Sequence, residues 1–131
     1  MCRSAIPQLL ETRGNVVNMA SSAGLVGVAY SSAYCASKGG VVMLTRSLAV
    51  EYAHSGVRFN CICPGGVDTP LSRGFVPPRD AQRGLLKRMM GLTDFPLARP
   101  DEIAAVVAYL ASDAARFVTG AAWSIDGGQT A

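Results

Sequence analysis

Tyr34 and Lys38 are the residues of this sequence whose types and spacing suit acid–base chemistry. They are four positions apart, so on a helix they lie one turn apart on the same face. An ammonium group held beside a phenol favours the phenolate form, and such a tyrosine can pass a proton to or from a substrate oxygen. The same pair is also common on solvated helix faces, so these two residues alone do not establish an active site.

A long helix is predicted to carry this pair, from about residue 32 to residue 54, with Ser55-Gly56 ending it. Gly39 and Gly40 lie inside the helix, where each glycine costs about 1 kcal/mol relative to alanine. We therefore expect another backbone to pack closely against these glycines. Helical spacing predicts one core-facing stripe, formed by Val41, Leu44, Leu48 and Tyr52.

Three short β-rich runs predict strands at residues 15–20, 57–63 and 121–125. A helix that ends near Gly14 precedes the first strand. A looser, mostly helical flap at residues 71–93 and a helix that starts at Pro100 precede the third. This alternation predicts parallel strands with right-handed helical crossovers, in an open α/β layer fold.

Ligands of such sheets bind beyond the carboxyl ends of the strands. Ser21, Thr69 and the Pro64-Gly65 break all follow predicted strands, and Tyr34 can reach the same crevice. The first helix of the chain appears only as its last part, and this indicates an N-terminal segment outside the sequence.

Composition limits the classes of partner. Half of the 131 residues are hydrophobic and 16% are charged, which is typical of one small globular domain. The net charge of +3 comes from scattered basic residues, so we expect no nucleic-acid partner. His54 is the only histidine and no C-x-x-C is present, so we expect no metal. Four apparently unpaired cysteines, no signal peptide and no membrane-spanning run predict a cytoplasmic protein without a membrane partner.

Several motifs together resemble the short-chain dehydrogenase/reductase family over essentially the whole chain. These motifs are Asn18-Met19-Ala20-Ser21-Ser22-Ala23-Gly24, Tyr34-x-x-x-Lys38, Asn60-x-x-x-Pro64-Gly65-x-Val67-x-Thr69 and Asp126-Gly127-Gly128. The separation of Ser21 from Tyr34 also matches the family's serine-to-tyrosine spacing. The resemblance implies hydride transfer between a nicotinamide cofactor, NAD or NADP, and the carbonyl or secondary alcohol of a small-molecule substrate.

The resemblance also implies roles for single residues. Tyr34 would be the general acid/base, and Lys38 would ease the ionisation of Tyr34 and hydrogen-bond the nicotinamide ribose. Ser21 would orient and polarise the substrate oxygen, although a simple loop or capping role for its hydroxyl remains the alternative. Ser22 is the rival serine, and the spacing to Tyr34 favours Ser21.

Four residues resemble the segment that lines the nicotinamide in this family, because backbone groups there can meet the carboxamide and glycine allows close approach. An ordinary Pro-Gly strand stop is the alternative interpretation. The four residues are Pro64, Gly65, Val67 and Thr69. Asp126-Gly127-Gly128 is interpreted as a turn without a chemical role.

One family feature is absent from the sequence: no G-x-x-x-G-x-G, the turn that receives the cofactor pyrophosphate, occurs in it. We therefore interpret residues 1–131 as the C-terminal catalytic half of a Rossmann-type domain. The expected fold is a partial doubly wound parallel sheet of about three strands with flanking helices, its N-terminal strands missing.

Two functions are consistent with a half-fold: a truncated oxidoreductase, or a catalytically silent remnant that serves association. Substrate identity, NAD against NADP and the direction of reaction are not readable. Short-chain dehydrogenases commonly pair through the helix that matches residues 32–54. We therefore expect a homo-oligomer, a dimer or tetramer, whose contact face includes Met43, Ser47 and Val50.

Overall fold

The computed structural model of the chain describes residues 2–95 and 97–131, and for Cys2 and Arg3 only the backbone. Its sheet has three parallel strands in the order β1-β2-β3, namely β1 (Asn15–Met19), β2 (Arg58–Pro64) and β3 (Ala122–Ile125). Asn15 pairs with Arg58, and Cys61 pairs with Ala122. The predicted α/β fold with three parallel strands is therefore confirmed.

Helices connect the three parallel strands. They are α1 (Cys2–Thr12), α2 (Ser32–Tyr52), α3 (Pro70–Arg73), α4 (Arg83–Lys87) and α5 (Pro100–Ala111). Single 3-10 turns lie at Ser22–Gly24, Ala53–Ser55 and Asp113–Ala115. Among the described residues, no helix combines the length and apolar character that a membrane crossing requires.

The central strand β2 is the core of the molecule, with Phe59, Ile62 and both of its cysteines fully buried. The two thiols, Cys61 and Cys63, lie in one cluster with Ala20 and Val42, as expected for alternate residues of a strand that share a face. On the other face, Ile62 packs in a cluster with Ile103 and Leu110 of α5. Helices α2 and α5 thus lie on opposite faces, although both connect neighbouring strands in the same direction. The two crossovers therefore have opposite hands, and the prediction that both are right-handed is wrong for one of them.

The stripe predicted for α2 is wrong in part. The buried residues of α2 are Val42, Thr45, Leu48 and Ala49, whereas Leu44 is 48% exposed. Thr45 can be buried because its hydroxyl donates to the Val41 carbonyl at 2.8 Å and accepts from Asn18 Nδ2 at 2.9 Å. Thr45, whose hydroxyl both donates and accepts a hydrogen bond, therefore packs against the sheet in place of the larger Leu44.

Close backbone packing was predicted at the glycines of α2, but the closest approach is made by a glycine outside that helix. A Cβ on Gly40 would meet nothing within 4 Å, so the prediction is wrong for that residue. The tight approach is made by Gly24, where a Cβ would lie 2.8 Å from the carbonyl carbon and oxygen of Lys38. Gly24 thus lets the turn after β1 lie directly on the helix.

The flap at residues 71–93 is less helical than predicted, because only α3 and α4 are helices in this region. Pro77-Pro78 interrupts the helical pattern between α3 and α4. Hydrogen bonds attach the flap to the body of the molecule. The Tyr30 hydroxyl accepts from the Gln82 N–H at 2.9 Å, and the Leu92 N–H donates to the Gly127 carbonyl at 2.7 Å.

Candidate active site

A cleft of about 1060 Å³ lies at the carboxyl ends of β1 and β2, between α2, α5 and the flap. Ser21, Tyr34 and Lys38 line it, and so do all four residues predicted to meet a nicotinamide, which are Pro64, Gly65, Val67 and Thr69. The structure therefore brings every predicted site residue to one cleft, at the position that parallel α/β sheets use for ligands.

Tyr34 and Lys38 lie on the first two turns of α2, as their spacing requires. The Lys38 ammonium is 5.7 Å from the centroid of the Tyr34 ring, within the range of a cation–π contact. Lys38 Nζ also donates to the main-chain oxygen of Met19 at 3.0 Å. The lysine is therefore tied to the end of β1, while 43% of Tyr34 remains exposed beside the cleft.

Ser21 caps the 3-10 turn that follows β1. Its Oγ accepts from the Ala23 N–H at 3.2 Å, which is the capping role considered as the alternative to catalysis. A capping hydroxyl keeps its own proton, because a serine oxygen can accept and donate at once. Ser21 is only 8% exposed, and it donates to no residue in the described part of the chain. Both roles are therefore compatible.

Ser22 is held differently. Its hydroxyl donates to Gln129 Oε1 at 2.9 Å, and its side chain is also buried. The proton of Ser22 is thus engaged within the protein, whereas that of Ser21 faces the cleft without an internal acceptor among the described residues. Of the two serines, Ser21 is therefore the one whose hydroxyl proton is available to a ligand.

The segment after β2 is built around Val67. An isolated parallel bridge joins Val67 to Ala98, and the Val67 carbonyl accepts from the Ser72 hydroxyl. Thr69 is the N-cap of α3 and forms a capping box with Ser72. Within residues 2–95 and 97–131 the Val67 N–H has no acceptor, so it can meet a ligand in the cleft.

The structure gives a reason for glycine at position 65 that the sequence did not indicate. A Cβ on Gly65 would lie 2.9 Å from the Cα of Asp126, and the Gly65 N–H donates to the Ile125 carbonyl at 3.0 Å. Close approach at Gly65 is therefore made by the chain's own C-terminal turn. In that turn Gly127 and Gly128 have φ values of 62° and 85°, which favour glycine. The predicted turn is confirmed.

Several cleft residues were missed from the sequence. Gln129 joins the cleft from the C-terminal end, and Leu71, Phe75, Val76 and Met89 line it from the flap. Asn60, part of the quoted motif, is fully buried and lies outside the cleft. Its side chain donates to the Val118 carbonyl at 2.8 Å and accepts from the Ala121 N–H at 3.0 Å, so it joins β2 to the loop before β3.

Comparisons with known proteins identify relatives of the chain. The family model described as enoyl-(acyl carrier protein) reductase matches residues 1–130. Cis-4-hydroxycyclohexanecarboxylate dehydrogenase from Sinomonas cyclohexanicum is 50% identical over 119 residues, which are 90% of this chain and 45% of that protein. Meso-2,3-butanediol dehydrogenase from Serratia marcescens is 44% identical over 128 residues, which are 97% of this chain and 49% of that protein.

A solved structure is also similar. The short-chain dehydrogenase from Mycobacterium paratuberculosis bound to NAD superposes with a TM-score of 0.86 at 30% identity, over 95% of this chain and 49% of that chain. The chain spans about half the length of the curated relatives it matches. The family model, the relatives and the fold together show that the chain belongs to the short-chain dehydrogenase/reductase family.

Proposed function

We propose that the chain is the catalytic half of an oxidoreductase that transfers a hydride between a nicotinamide cofactor and a carbonyl or secondary alcohol. The observation that carries the proposal is the meeting of Ser21, Tyr34 and Lys38 in one cleft with the segment from Pro64 to Thr69. The names of the dehydrogenase relatives support the same reaction class.

Tyr34 acts as the general acid/base in this proposal. Its hydroxyl gives a proton to the substrate oxygen in the reductive direction and takes it back in the oxidative direction. The ammonium of Lys38 stabilises the phenolate that remains after proton donation. The Ser21 hydroxyl donates to the same substrate oxygen, where negative charge develops, while Ala23 holds its Oγ in place.

The residues present fit the nicotinamide end of a cofactor. Lys38 would meet the ribose beside Tyr34, and the segment Pro64, Gly65, Val67 and Thr69 would line the ring, with the Val67 N–H as a donor for the carboxamide. A bound nicotinamide would supply or accept the hydride. NAD and NADP are both compatible with these residues.

The lining favours a small and uncharged alcohol or ketone as substrate. Lys38 is the only ionisable residue besides Tyr34 among the described residues of the cleft, and the flap contributes the apolar side chains of Leu71, Phe75 and Val76. An anionic or cationic substrate would therefore lose its hydration without an ionic partner. Neither reaction direction is favoured by the geometry.

We also place a contact between subunits on α2. Met43 is 59% exposed and Val50 is 82% exposed on the side of α2 that faces away from the core. Exposed apolar side chains on one helix face favour its burial against a second copy, in a homo-oligomer that is a dimer or tetramer. Light scattering should show assembly that the Val50→Lys variant weakens, and a monomer at micromolar concentration would contradict the contact.

A cytoplasmic location belongs to the same proposal. Cys35, Cys61 and Cys63 are free thiols. Unpaired cysteines are typical of proteins kept in a reducing compartment.

The second candidate is a catalytically silent association module. It is favoured by one observation: the chain spans about half of its relatives and carries no glycine-rich pyrophosphate turn. An intact set of Ser21, Tyr34 and Lys38 supports the oxidoreductase over this candidate, because association alone does not require those three side chains in one cleft.

A hybrid protein separates the two candidates. In this hybrid the chain replaces the segment that it matches in the Serratia marcescens meso-2,3-butanediol dehydrogenase. We expect the hybrid to oxidise secondary alcohols with NAD or NADP, and the Tyr34→Phe hybrid to be the matched inactive control. A folded hybrid that is inactive with a broad panel of alcohols and ketones would favour the association module.

A further inference from the structure

Gln129 enters the cleft from the far end of the chain. It lines the same cavity as Ser21 and Tyr34. Its Oε1 accepts a hydrogen bond of 2.9 Å from the hydroxyl of Ser22, which is 107 positions earlier in the sequence. The function proposed above assigns no role to this carboxamide. Its position beside the two serines makes it a candidate for substrate contact.

The backbone around Gln129 is held by a network centred on Asp126. The Asp126 carboxylate accepts from the N–H of Gly128 at 3.0 Å and from the N–H of Thr130 at 3.1 Å. The Gln129 N–H donates to the Asp126 carbonyl at 3.2 Å, and Ser124 and Thr130 share a hydroxyl contact of 3.0 Å. A side chain that projects from such a turn starts from a defined position.

The carboxamide of Gln129 has one oxygen acceptor and two N–H donors. The oxygen is engaged by Ser22, which orients the group. Among the described residues, Gln129 Nε2 donates to no protein acceptor. A hydrogen-bond donor therefore remains available at a cleft whose walls are mostly apolar.

We propose that Gln129 is a specificity-determining residue that selects substrates with a second oxygen acceptor close to the reacting carbon. This inference rests on the proposed function, because it takes the Ser21 hydroxyl as the donor to the reacting oxygen. Ser22 follows Ser21 directly, and their Cα atoms are about 3.8 Å apart. Gln129, which is hydrogen-bonded to Ser22, therefore lies near the end of the substrate that carries the reacting oxygen.

The second oxygen is that of a hydroxyl or carbonyl group. A carboxylate would require a cation, and Lys38, the only basic residue of the cleft within the described residues, is tied to Met19 and reserved for the cofactor ribose. The class of substrate that meets both donors is a hydroxyketone, a diketone or a diol. A simple ketone offers the Gln129 donor no acceptor, so it lacks a hydrogen bond that the hydroxyketone can make.

The test compares 3-hydroxybutan-2-one with butan-2-one, which lacks the second oxygen, in the hybrid and in its Gln129→Glu variant. Glutamate keeps an oxygen for Ser22 but has no donor when ionised, so the turn is retained. We expect the ratio of kcat/KM for the two ketones to fall about tenfold in the variant, mainly through the KM of the hydroxyketone. Gln8→Glu, on the exposed face of α1, is the matched control and should leave the ratio unchanged.

An unchanged ratio in Gln129→Glu, or an equal loss for both ketones, would overturn the proposal, because a purely structural role affects both substrates alike. If the unmodified hybrid reduced neither ketone, the proposed function would fail, and binding would decide the role of Gln129. Saturation-transfer NMR of the hybrid should then show preferential binding of 3-hydroxybutan-2-one that Gln129→Glu abolishes. Equal signals for the two ketones in the unmodified hybrid would reject the selectivity itself.

Discussion

Lys38 donates a hydrogen bond from Nζ to the main-chain oxygen of Met19 at 3.0 Å, which joins the catalytic helix α2 to the last residue of β1. The same ammonium lies 5.7 Å from the centre of the Tyr34 ring. The lysine therefore fixes the helix against the strand whose end carries Ser21. A single side chain therefore couples the position of Tyr34 to the position of Ser21.

The first prediction concerns this pair. In the hybrid, Tyr34→Phe should lower kcat by at least about a hundredfold, because the phenol is the proton donor of the site. Lys38→Met should lower kcat to a similar extent and also raise the KM for the cofactor, since the lysine would meet its ribose. Steady-state kinetics with varied cofactor would show both effects, and near-normal turnover in Tyr34→Phe would remove its assignment as acid/base.

The two serines after β1 should behave differently. Ser21→Ala removes the hydroxyl that donates to the substrate oxygen, so we expect kcat to fall by about a hundredfold with little change in the KM for the cofactor. Ser22→Ala breaks the hydrogen bond to Gln129 and should affect the hydroxyketone more than the simple ketone. A larger kcat loss in Ser22→Ala than in Ser21→Ala would exchange their roles.

Much of this site could be predicted from the sequence because its members are close in sequence or on regular elements. Tyr34 and Lys38 are linked by helix geometry alone, and Ser21 follows a recognisable strand. Gln129 could not be predicted, since its hydrogen bond to Ser22 spans 107 residues and its flanking turn resembles any Asp-Gly-Gly turn. The core-facing stripe of α2 was predicted wrongly in part, because hydrophobic periodicity does not predict burial of a threonine. Thr45 is buried because hydrogen bonds with Asn18 and Val41 satisfy its hydroxyl.

Two glycines of the loop after β1 provide a paired test of packing. A Cβ on Gly24 would lie 2.8 Å from the Lys38 backbone, whereas a Cβ on Gly27 would meet nothing within 4 Å. Gly24→Ala should therefore lower the free energy of unfolding by about 1 to 3 kcal/mol. Gly27→Ala should be neutral or stabilise by up to about 1 kcal/mol. Urea unfolding of both variants measures the difference, and equal midpoints would contradict the close approach.

The free energy of unfolding at alkaline pH should depend on the buried thiol of Cys63. Burial raises the pKa of the Cys63 thiol from 9.0 to about 11, and the neighbouring Cys61 adds to the shift. The folded state thus holds the proton more tightly than the unfolded state. The resulting stabilisation is complete below pH 9 and is lost as the pH rises towards 11, by about 2 to 3 kcal/mol.

Cys63→Ala is the control for this effect, because it removes the titrating group. The difference in unfolding free energy between the unmodified chain and Cys63→Ala should shrink from pH 8 to pH 11. A difference that stays constant over that interval would show that the thiol does not titrate as described.

The last prediction concerns the 131-residue chain without an added segment. The pyrophosphate of a dinucleotide is usually bound by a glycine-rich turn at a helix N-terminus, and the sequence contains no G-x-x-x-G-x-G. Within the described residues, the cleft offers Lys38 as its only cation, and that residue serves the nicotinamide ribose in our proposal. We therefore expect dissociation constants weaker than about 1 mM for NAD and NADP in either redox state, despite the complete Ser21, Tyr34 and Lys38 set.

Calorimetric titration, with circular dichroism to establish folding and the hybrid as positive control, measures this directly. Stoichiometric binding at micromolar affinity by a cooperatively folded chain would show that the nicotinamide end of the site suffices to hold the cofactor.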